Sequence, residues 1–324
     1  MHQVKKTYPR GLVFVIPTYN SAMVIKQTLI SLTRQDDHDF EVLVIDDNST
    51  DKTKTIAHSF GSKLKLRVIN KPKGVLKGAA ASINFSKNFS GGKAVGLIDS
   101  DTRLAKNWVR VIKNILKKEK IAGAPIFAER NKHFWAILSG LEIESRYQNL
   151  KEGKVRHLST CNLAIASKLF KKIKLNEELK YAYDHDLSFQ LNKKKILFYL
   201  TKKTSCTHAN KSGLYGFFVQ QFKISKYHTM LAKKMPREAI FGDEISPSLF
   251  ALQPLIFLAA ILFFFFNPYI SLVLFIFLVF FLNGYFLLYL IRKEYFLYLL
   301  PAIILVLIRN IAWLFGVLGG IVKV

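Results

Sequence analysis

Cysteine is scarce in this chain, with Cys161 and Cys206 as its two cysteines among 324 residues. Two isolated cysteines exclude a disulfide-stapled secreted domain, and they provide no C-x-x-C spacing for a structural metal site. The first apolar run, residues 12–16, is stopped by Pro17 and the polar residues after it. It is too short for a secretory signal, so it predicts a strand. We therefore expect reduced thiols in a cytosolic compartment.

Acidic residues are also few, at 22 against 48 basic residues, which gives a net charge of +26. Charge of either sign is rare after residue 248, where the charged residues are Arg292, Lys293, Glu294, Arg309 and Lys323. Residues 1–248 therefore carry a net charge of +23. Such a charge fits nucleic acid or an anionic membrane face. The absence of zinc-finger spacing and of RNA-binding aromatic motifs, together with the apolar tail, favours the membrane and excludes nucleic acid as the expected partner.

The first half of the chain alternates apolar strands with helical patterns. Residues 12–17, 40–46, 64–70 and 94–99 predict buried strands, with a helix over residues 21–35 after the first. Near-continuous apolar strands separated by helices indicate an α/β fold, Rossmann-like, with a mostly parallel sheet covered on both faces. Ligands bind such sheets beyond the carboxyl ends of the strands. The polar residues expected at those ends are Thr18, Asp46, Asp47, Asp99 and Asp101.

The last third of the chain is strongly apolar. Residues 249–266, 269–291 and 296–320 each reach the length of a bilayer crossing, which predicts three transmembrane helices. If the basic domain is cytoplasmic, three crossings return Arg292 and Lys293 to the cytoplasmic side, as the positive-inside rule prefers. We therefore expect a multi-pass cell-membrane protein.

Two features of this region leave alternatives open. Arg309 interrupts the third apolar run, so it would snorkel or face a lipid phosphate, or the segment would be re-entrant or interfacial. Residues 213–235 mix aromatic, Lys and Gln residues at helical spacing, which suits a helix in the headgroup layer. A core-packing helix is the alternative. The predicted organisation is thus residues 1–210, an interfacial linker at 211–245 and a membrane region at 246–324.

The stretch "AVGLIDSDTRL" places Asp99 and Asp101 two residues apart at the end of a predicted strand. Like charges so close raise at least one pKa unless something neutralises them. A turn or a solvated helix start is one explanation. A divalent cation with a phosphate behind it is the other.

Four motifs in order support the second explanation: "VFVIPTYN", "VLVIDDNSTDKT", "LIDSDT" and "YAYDHDL". Together they resemble the family 2 inverting glycosyltransferases, which have the GT-A fold, and the resemblance covers about residues 11–210. It implies a nucleotide-sugar donor carrying UDP or GDP, and a bound Mg²⁺ or Mn²⁺. A metal ion held by carboxylates stabilises the charge on a departing nucleoside diphosphate.

On the donor side, the resemblance assigns the nucleoside to Asp46 or Asp47. The alternative is a cap for the following helix, which Asp47 or Asn48 would provide. Asp99 and Asp101 match the family's Asp-x-Asp, and His208 falls where some relatives carry a third metal ligand. The remaining expected donor-site residues are Pro17, Thr18, Tyr19 and Lys77.

On the acceptor side, the resemblance makes Asp184 the general base that takes a proton from an acceptor hydroxyl. Tyr183 replaces the usual acid before it, and Gln190 stands where an arginine is common. Asp186 would cap a helix or share the base's role. The Gln-x-x-Arg-Trp signature of processive synthases is reduced here to "QQFKI", with Gln220 and Gln221 on the expected acceptor side.

These motifs predict a membrane-anchored enzyme that glycosylates a hydroxyl of a lipid or lipid-linked glycan. A polyprenyl-phosphate sugar synthase is one alternative, because an anionic phosphate acceptor needs no base. A catalytically inactive family member serving as a membrane partner subunit is another. A nucleotidyltransferase shares the fold, but the acceptor motif and the apolar tail argue against it.

Overall fold

The computed structural model describes residues 11–130, 133–235, 242–245 and 249–322. The chain divides into two compact units, Met1–Ile126 with Glu152–His208, and Phe127–Lys151 with Ala209–Val324. This division differs from the predicted one, since residues 127–151 group with the C-terminal helices. The predicted linker 211–245 also falls within the second unit.

An eight-stranded sheet organises the first unit, in the order β3-β2-β1-β4-β9-β6-β10-β8. Its strands are β1 (Leu12–Thr18), β2 (Phe40–Asp46), β3 (Leu66–Asn70), β4 (Ala94–Ile98), β6 (Ile121–Gly123), β8 (Gly153–Val155), β9 (Asn162–Ala166) and β10 (Phe198–Leu200). Two further strands, β5 (Thr102–Leu104) and β11 (Cys206–His208), pair antiparallel with each other, and β7 spans Ile126–Ala128. The helices of this unit are α1 (Ile25–Thr33), α2 (Thr53–His58), α3 (Ala79–Ser86), α4 (Trp108–Ile115), α6 (Ser167–Phe170) and α7 (Tyr183–Lys193).

The α/β class is confirmed, and the sheet is mixed: six of its eight strands run in one direction, while β9 and β8 run against them. Strands β3, β2, β1 and β4 run parallel, as the apolar runs predict. Strand β9 then runs antiparallel between β4 and β6, and β8 runs antiparallel to β10. The antiparallel direction of β9 and β8 was not predicted, because the chain between β4 and β9 makes a long excursion whose short strands carry weak periodicity.

The centre of the sheet is packed around Phe14 of β1. Its ring lies edge-on to Phe40 at 5.3 Å and tilted to Trp108 at 5.5 Å between centroids. Gly96 of β4 leaves room for this ring, since a Cβ at Gly96 would lie 2.8 Å from Phe14 Cδ1. The Trp108 indole donates to Asn162 Oδ1 at 2.7 Å, which fixes the start of β9. This packing holds the strand ends that carry the polar residues.

The second unit is helical in the part of the chain that the structure describes. It contains α5 (Phe134–Gln148), α8 (Leu214–Lys234), α9 (Leu249–Phe266), α10 (Pro268–Ile276) continued by a π-helical turn (Phe277–Phe281), α11 (Gly284–Arg292), a 3₁₀ turn (Phe296–Tyr298) and α12 (Leu299–Val322). Pro268 at the start of α10 suits a first helical turn, and Asn267 accepts hydrogen bonds from the Tyr269 and Ile270 amides.

The prediction of three transmembrane helices is wrong. By length and composition, one described segment, Phe296–Val322, is suited to crossing a membrane. The predicted second crossing is broken: Pro268–Phe281 and Gly284–Arg292 meet at a 50° bend and would form a span only as a pair. The first, Phe250–Phe266, is a shorter apolar helix. Apolar composition marked these segments, but it does not reveal where a helix bends.

Arg309 lies inside the second unit and does not snorkel. Its guanidinium donates to Glu142 Oε1 of α5 at 2.8 Å and to Gln253 Oε1 at 2.9 Å, and it also donates to Asn283 Oδ1. Only 2% of the residue is exposed. Arg146 shares the Glu142 carboxylate, at 2.7 Å. The expectation that Arg309 faces a lipid phosphate is therefore corrected, because its guanidinium donates hydrogen bonds to side chains of the protein instead.

Replacing Arg309 with methionine is expected to destabilise the second unit by about 3–5 kcal/mol, because breaking a buried ion pair leaves partners without compensation. Lysine should restore little, since an ammonium cannot reproduce the three directed bonds of the guanidinium. The thermal unfolding midpoint of the detergent-purified protein measures the effect. Arg292→Met, at an exposed position, is the matched control, and equal midpoints for the two variants would contradict the prediction.

Helices α8 and α12 pack through two glycines of α12. A Cβ at Gly316 would lie 2.7 Å from the Phe222 carbonyl oxygen, and one at Gly320 would lie 2.7 Å from the Lys226 carbonyl oxygen. Small residues four apart allow such close approach of helix backbones. Ser225 Oγ of α8 also donates to the Trp313 carbonyl at 2.8 Å. These contacts favour the packing alternative for α8, while its location in a headgroup layer stays a prediction.

Candidate functional site

The candidate site lies at the carboxyl edge of the parallel strands in the first unit. Thr18 ends β1, Asp46 ends β2 and Asp99 follows β4, and these three strands are neighbours in the sheet. The ladder continues past the strands, since the Asp47 amide donates to the Thr18 carbonyl at 2.8 Å. Adjacent parallel strands therefore bring the predicted donor-site residues to one edge.

The turn that carries Asp99 and Asp101 is fixed through Ser100 between them. Ser100 Oγ donates to Ser21 Oγ at 2.9 Å, and its carbonyl accepts from Thr28 Oγ1 of α1 at 2.8 Å. The Thr102 amide donates to the Asp99 carbonyl at 3.1 Å and closes the turn. These hydrogen bonds fix the backbone of the turn, and about a third of the Asp99 and Asp101 side chains remains exposed to solvent.

His208 of β11 faces these carboxylates. Its Nε2 lies 3.1 Å from Asp101 Oδ1 and 3.8 Å from Asp99 Oδ2. Burial alone would lower the pKa of His208, but the Asp101 and Asp99 carboxylates raise it well above its usual range. Burial raises the pKa of Asp99; the His208 hydrogen bond opposes this, and the charges of Asp101 and Asp184 add to it. Negative charge thus gathers at this edge.

This donor set fits a divalent cation. Two carboxylates from the β4–β5 turn and the imidazole of His208 from β11 converge, with His208 Nε2 3.1 and 3.8 Å from the carboxylate oxygens. Carboxylates suit Mg²⁺ and Mn²⁺, while an imidazole ligand favours a transition ion over Mg²⁺. Among the residues that the structure describes, two groups have ligand atoms within 4.8 Å of one another: Asp99 with Cys161 and His208, and His157 with Asp184 and His185. Asp101 belongs to neither group, but its Oδ1 lies 3.1 Å from His208 Nε2, so all three predicted metal ligands are close together.

Asp47 is held by a buried lysine that sequence reasoning did not identify. Lys71 Nζ lies 2.9 Å from Asp47 Oδ1 and donates to the Leu76 carbonyl at 2.6 Å. The other Asp47 oxygen accepts from the Gly78 amide at 2.7 Å, where a positive φ of 122° suits glycine. Because Lys71 directly follows β3, next to β2 in the sheet, its position after that strand was the available signal.

Asp46 and Asp47 do not cap helix α2. Asp46 is fully buried, and its Oδ2 accepts from the Ser49 amide at 3.0 Å. Asp51 serves the start of α2 instead, by accepting from the Thr53 amide at 3.0 Å. The capping alternative is therefore wrong for Asp47, and Asn48 instead donates from Nδ2 to the Lys71 carbonyl at 3.1 Å. The contact of the pair with a nucleoside stays a prediction.

The other expected donor-site residues occupy different surroundings. Thr18 is buried and donates from Oγ1 to the Ile16 carbonyl, while half of Tyr19 is exposed beside it. Pro17 lies within β1, paired with Ile45. Lys77 is exposed in the loop before α3, so its contact with a diphosphate stays a prediction.

We expect Lys71→Met to destabilise the first unit by about 3–5 kcal/mol, because it leaves the buried Asp47 carboxylate without its cation. A donor nucleotide should also bind more weakly, since the Asp47 carboxylate loses its fixed position. Thermal unfolding and nucleotide titration calorimetry measure the two effects. Lys73→Met, at an exposed position two residues on, is the matched control; a Lys71→Met protein as stable as this control would contradict the expectation.

Asp184 stands at the start of α7, after a strained residue. Ala182 adopts a left-handed backbone with φ of 61°, which is uncommon outside glycine and asparagine. Asp184 Oδ1 accepts from the His185 amide at 3.0 Å and lies 3.2 Å from His185 Nδ1. His185 in turn stacks on His157, with ring centroids 4.0 Å apart, and Ser188 Oγ lies 2.8 Å from His157 Nδ1. Sequence reasoning missed this histidine pair.

The Tyr183 phenol is affected by the charges of both Asp99 and Asp184. Burial raises the pKa of Tyr183 well above its usual range, and the Asp99 and Asp184 charges raise it further. The phenol is thus neutral where the resemblance has an acid, and Thr160 Oγ1 donates to it at 3.3 Å.

Asp186 and the two expected glutamines have other surroundings. Asp186 is buried, and Gln190 Nε2 donates to its Oδ2 at 2.7 Å, so it stabilises α7 from within. Gln220 and Gln221 belong to α8 of the second unit. Gln221 Oε1 accepts from the Trp313 indole at 2.9 Å. Their acceptor role stays a prediction.

Comparison with known proteins identifies the family. Residues 13–174 match the model of glycosyl transferase family 2, and this stretch is half of the chain. It contains the ends of β1, β2 and β4 and the turn with Asp99 and Asp101. The chain belongs to glycosyl transferase family 2. The enzyme class predicted from the motifs is therefore confirmed, while Asp184 and His208 lie beyond the matched stretch.

Similar proteins include an uncharacterized glycosyltransferase of Rickettsia typhi, 27% identical over 195 residues that make up 57% of this chain and 60% of that protein. A chondroitin synthase of Pasteurella multocida is 28% identical over 185 residues, 55% of this chain and 18% of that protein. The chain thus spans less than two thirds of these relatives' lengths. The mannosyltransferase PcManGT of Pyrobaculum calidifontis, solved with GDP-Man and Mn²⁺, shares the fold: TM-score 0.64, 15% identity, 98% of this chain and 88% of that one.

Proposed function

We propose that this family 2 enzyme transfers a sugar from a nucleotide-sugar donor to a hydroxyl of a lipid or lipid-linked glycan at a membrane, with inversion. The observation that carries the proposal is the convergence of Asp99, Asp101, His208 and Asp184 within the first unit. His208 Nε2 lies 3.1 Å from Asp101 Oδ1 and 3.8 Å from Asp99 Oδ2, and the charge of Asp184 adds to the raised pKa of Asp99.

The donor half of the proposal rests on two parts of the sheet edge. Asp99, Asp101 and His208 would hold Mg²⁺ or Mn²⁺, which supplies a positive charge opposite the departing diphosphate. The imidazole favours Mn²⁺ of these two. Asp46 and Asp47, fixed by the Ser49 amide and by Lys71, would orient the nucleoside. A fold neighbour that was solved with GDP-Man and Mn²⁺ supports this donor class.

The acceptor half rests on Asp184. A carboxylate within reach of an acceptor hydroxyl takes its proton as the hydroxyl oxygen bonds to the anomeric carbon. The bond from that carbon to the diphosphate oxygen breaks on the opposite face, so one displacement inverts the configuration. The amide and ring of His185 keep Asp184 Oδ1 in place at the start of α7, so the carboxylate has a fixed position from which to act.

Membrane attachment rests on the apolar surface of the second unit. Phe264, Phe265 and Phe266 at the end of α9 are 62–84% exposed, and Tyr269 and Phe281 are similarly uncovered. Contiguous exposed apolar surface of this kind marks a membrane or partner site. One apolar segment, Phe296–Val322, has the length for a crossing. The charge of +23 on residues 1–248 would favour the anionic cytoplasmic leaflet.

A transfer assay tests the proposal. The full chain in detergent is incubated with a panel of UDP- and GDP-sugars and a membrane lipid extract, with Mn²⁺ or with a chelator, and products are identified by mass spectrometry. A metal-dependent glycolipid with the new bond on a hydroxyl supports the proposal. A product on a polyprenyl phosphate would instead establish the phosphate-acceptor alternative, and failure to bind or use any donor would indicate an inactive partner subunit.

A further inference from the structure

Cys161 lies beside the candidate metal ligands for a topological reason. Strands β4 and β9 are antiparallel, with Ile98 opposite Asn162. One step beyond this pair, Asp99 therefore stands opposite Cys161. The side chain of Asn162 is locked by the Trp108 indole and by the Ala124 carbonyl, at 2.7 and 2.8 Å. This anchoring fixes the position from which Cys161 approaches the site.

The thiol reaches the same space as the carboxylate and the imidazole. Sγ of Cys161, a carboxylate oxygen of Asp99 and a ring nitrogen of His208 all lie within 4.8 Å of one another. Ligand atoms bound to one tetrahedral ion, with bonds of about 2.0–2.3 Å, lie about 3.3–3.8 Å from one another. Small side-chain rotations would therefore bring these three atoms from within 4.8 Å to the distances that a bound ion requires. Cys161 is 4% exposed, which shields an ion at this position from bulk water.

Cys206 provides a natural reference residue. It lies two residues before His208 in β11, on the same face of that strand, and it is also buried. A hydrogen bond with Cys206, together with burial, raises the pKa of the Cys161 thiol well above its usual range. The cysteines thus share one environment, but only Cys161 belongs to the group with Asp99 and His208.

We propose that Asp99, Cys161 and His208 form a binding site for a thiophilic transition ion, such as Zn²⁺, Cd²⁺ or Co²⁺. Thiolate and imidazole ligands prefer these ions, whereas carboxylate and water ligands suit Mg²⁺ and Mn²⁺. Ligation converts the thiol to a thiolate and releases its proton to solvent. Since Asp99 and His208 are also the proposed donor-site ligands, a thiophilic ion bound here excludes the ion that supports transfer.

Cobalt spectroscopy tests this site without relying on activity. The full chain is stripped of metal, kept reduced under anaerobic conditions in detergent, and titrated with Co²⁺. A thiolate ligand gives a sulfur-to-cobalt charge-transfer band in the near ultraviolet. We expect this band in the wild type, its loss in Cys161→Ser and its retention in the matched variant Cys206→Ser. Bound Co²⁺ without the band, or a band that persists in Cys161→Ser, overturns the proposal.

The wild-type spectrum keeps the test decisive if a serine variant fails to fold. In that case, loss of the band in Asp99→Asn supports the site, and a wild type that binds Co²⁺ without the band overturns it. The inference rests on the metal site of the proposed function, and the two failures are distinguishable. Mn²⁺ bound in the presence of UDP or GDP without a cobalt band refutes only the thiol ligand, whereas absence of both Mn²⁺ and Co²⁺ binding refutes the metal site itself.

Discussion

Asp101→Asn is expected to lower kcat/KM for sugar transfer by about 10³-fold. The asparagine amide carries no negative charge, so it binds a divalent ion much more weakly than the carboxylate does. In the wild type this carboxylate lies beside the second proposed ligand, with Asp101 Oδ1 3.1 Å from His208 Nε2. The bound metal ion stabilises the negative charge on the leaving diphosphate by several kcal/mol. Because about 1.4 kcal/mol corresponds to a tenfold change in rate, losing this stabilisation accounts for a decrease of about 10³-fold. Mn²⁺ affinity should fall in the same variant. Initial rates at saturating acceptor and Mn²⁺ titration by electron paramagnetic resonance measure the two effects.

Asp36→Asn is the control for this experiment. It makes the same change of charge at a surface carboxylate that pairs with Arg110 at 2.9 Å. Surface ion pairs contribute about 0–1 kcal/mol, so this variant should keep wild-type rates and stability. Full metal-dependent transfer by Asp101→Asn would show that the Asp99–Asp101 turn does not hold the ion.

Asp184→Asn is expected to lower kcat with a hydroxyl acceptor by about 10²–10⁴-fold, the range that general-base catalysis contributes. Donor and Mn²⁺ binding should persist, because Asp184 is not among the residues that hold the donor in this proposal. The discriminating measurement is therefore the split between kcat and donor KM, obtained with donor titrations at fixed acceptor.

Asp186→Asn provides the matched control on the same helix. Asp186 is buried against Gln190, so its replacement should lower stability by about 1–3 kcal/mol and leave kcat nearly unchanged. If Asp184→Asn retains full hydroxyl transfer, the base is another residue. If it loses hydroxyl transfer but glycosylates a polyprenyl phosphate, the natural acceptor belongs to the phosphate class.

Sequence reasoning found the strand ends of the site because apolar runs and their polar endings are local patterns. Thr18, Asp46 and Asp99 end adjacent strands, so the parallel order of β2, β1 and β4 brought them to one edge. His208 required the resemblance, since nothing in "SCTHAN" alone indicates pairing of β11 with β5. Lys71 directly follows β3, and its pairing with Asp47 depends on the neighbouring positions of β3 and β2 in the sheet. Cys161 was missed because it reaches Asp99 through the pairing of β4 with β9, which are distant in sequence and whose register no local pattern specifies.

The apolar tail shows the opposite error. Composition marks residues 249–322 as apolar, but it gave three straight crossings where the chain bends between Phe281 and Gly284. It also treated Arg309 as a charge in lipid, because its partner Glu142 lies 167 residues earlier. Long-range polar pairing inside a helical unit is therefore the information that hydropathy lacks.

The glycine face of α12 means that this helix is more than an interchangeable anchor. Backbone carbonyls of Phe222 and Lys226 on α8 occupy the space that any larger residue at Gly316 or Gly320 would need. A generic apolar helix of equal length could still partition into lipid, but without these glycines it could not pack as closely against α8. The sequence of α12 thus meets two requirements at once: an apolar composition and length suited to a membrane crossing, and a glycine face that fits one specific helix of the same chain.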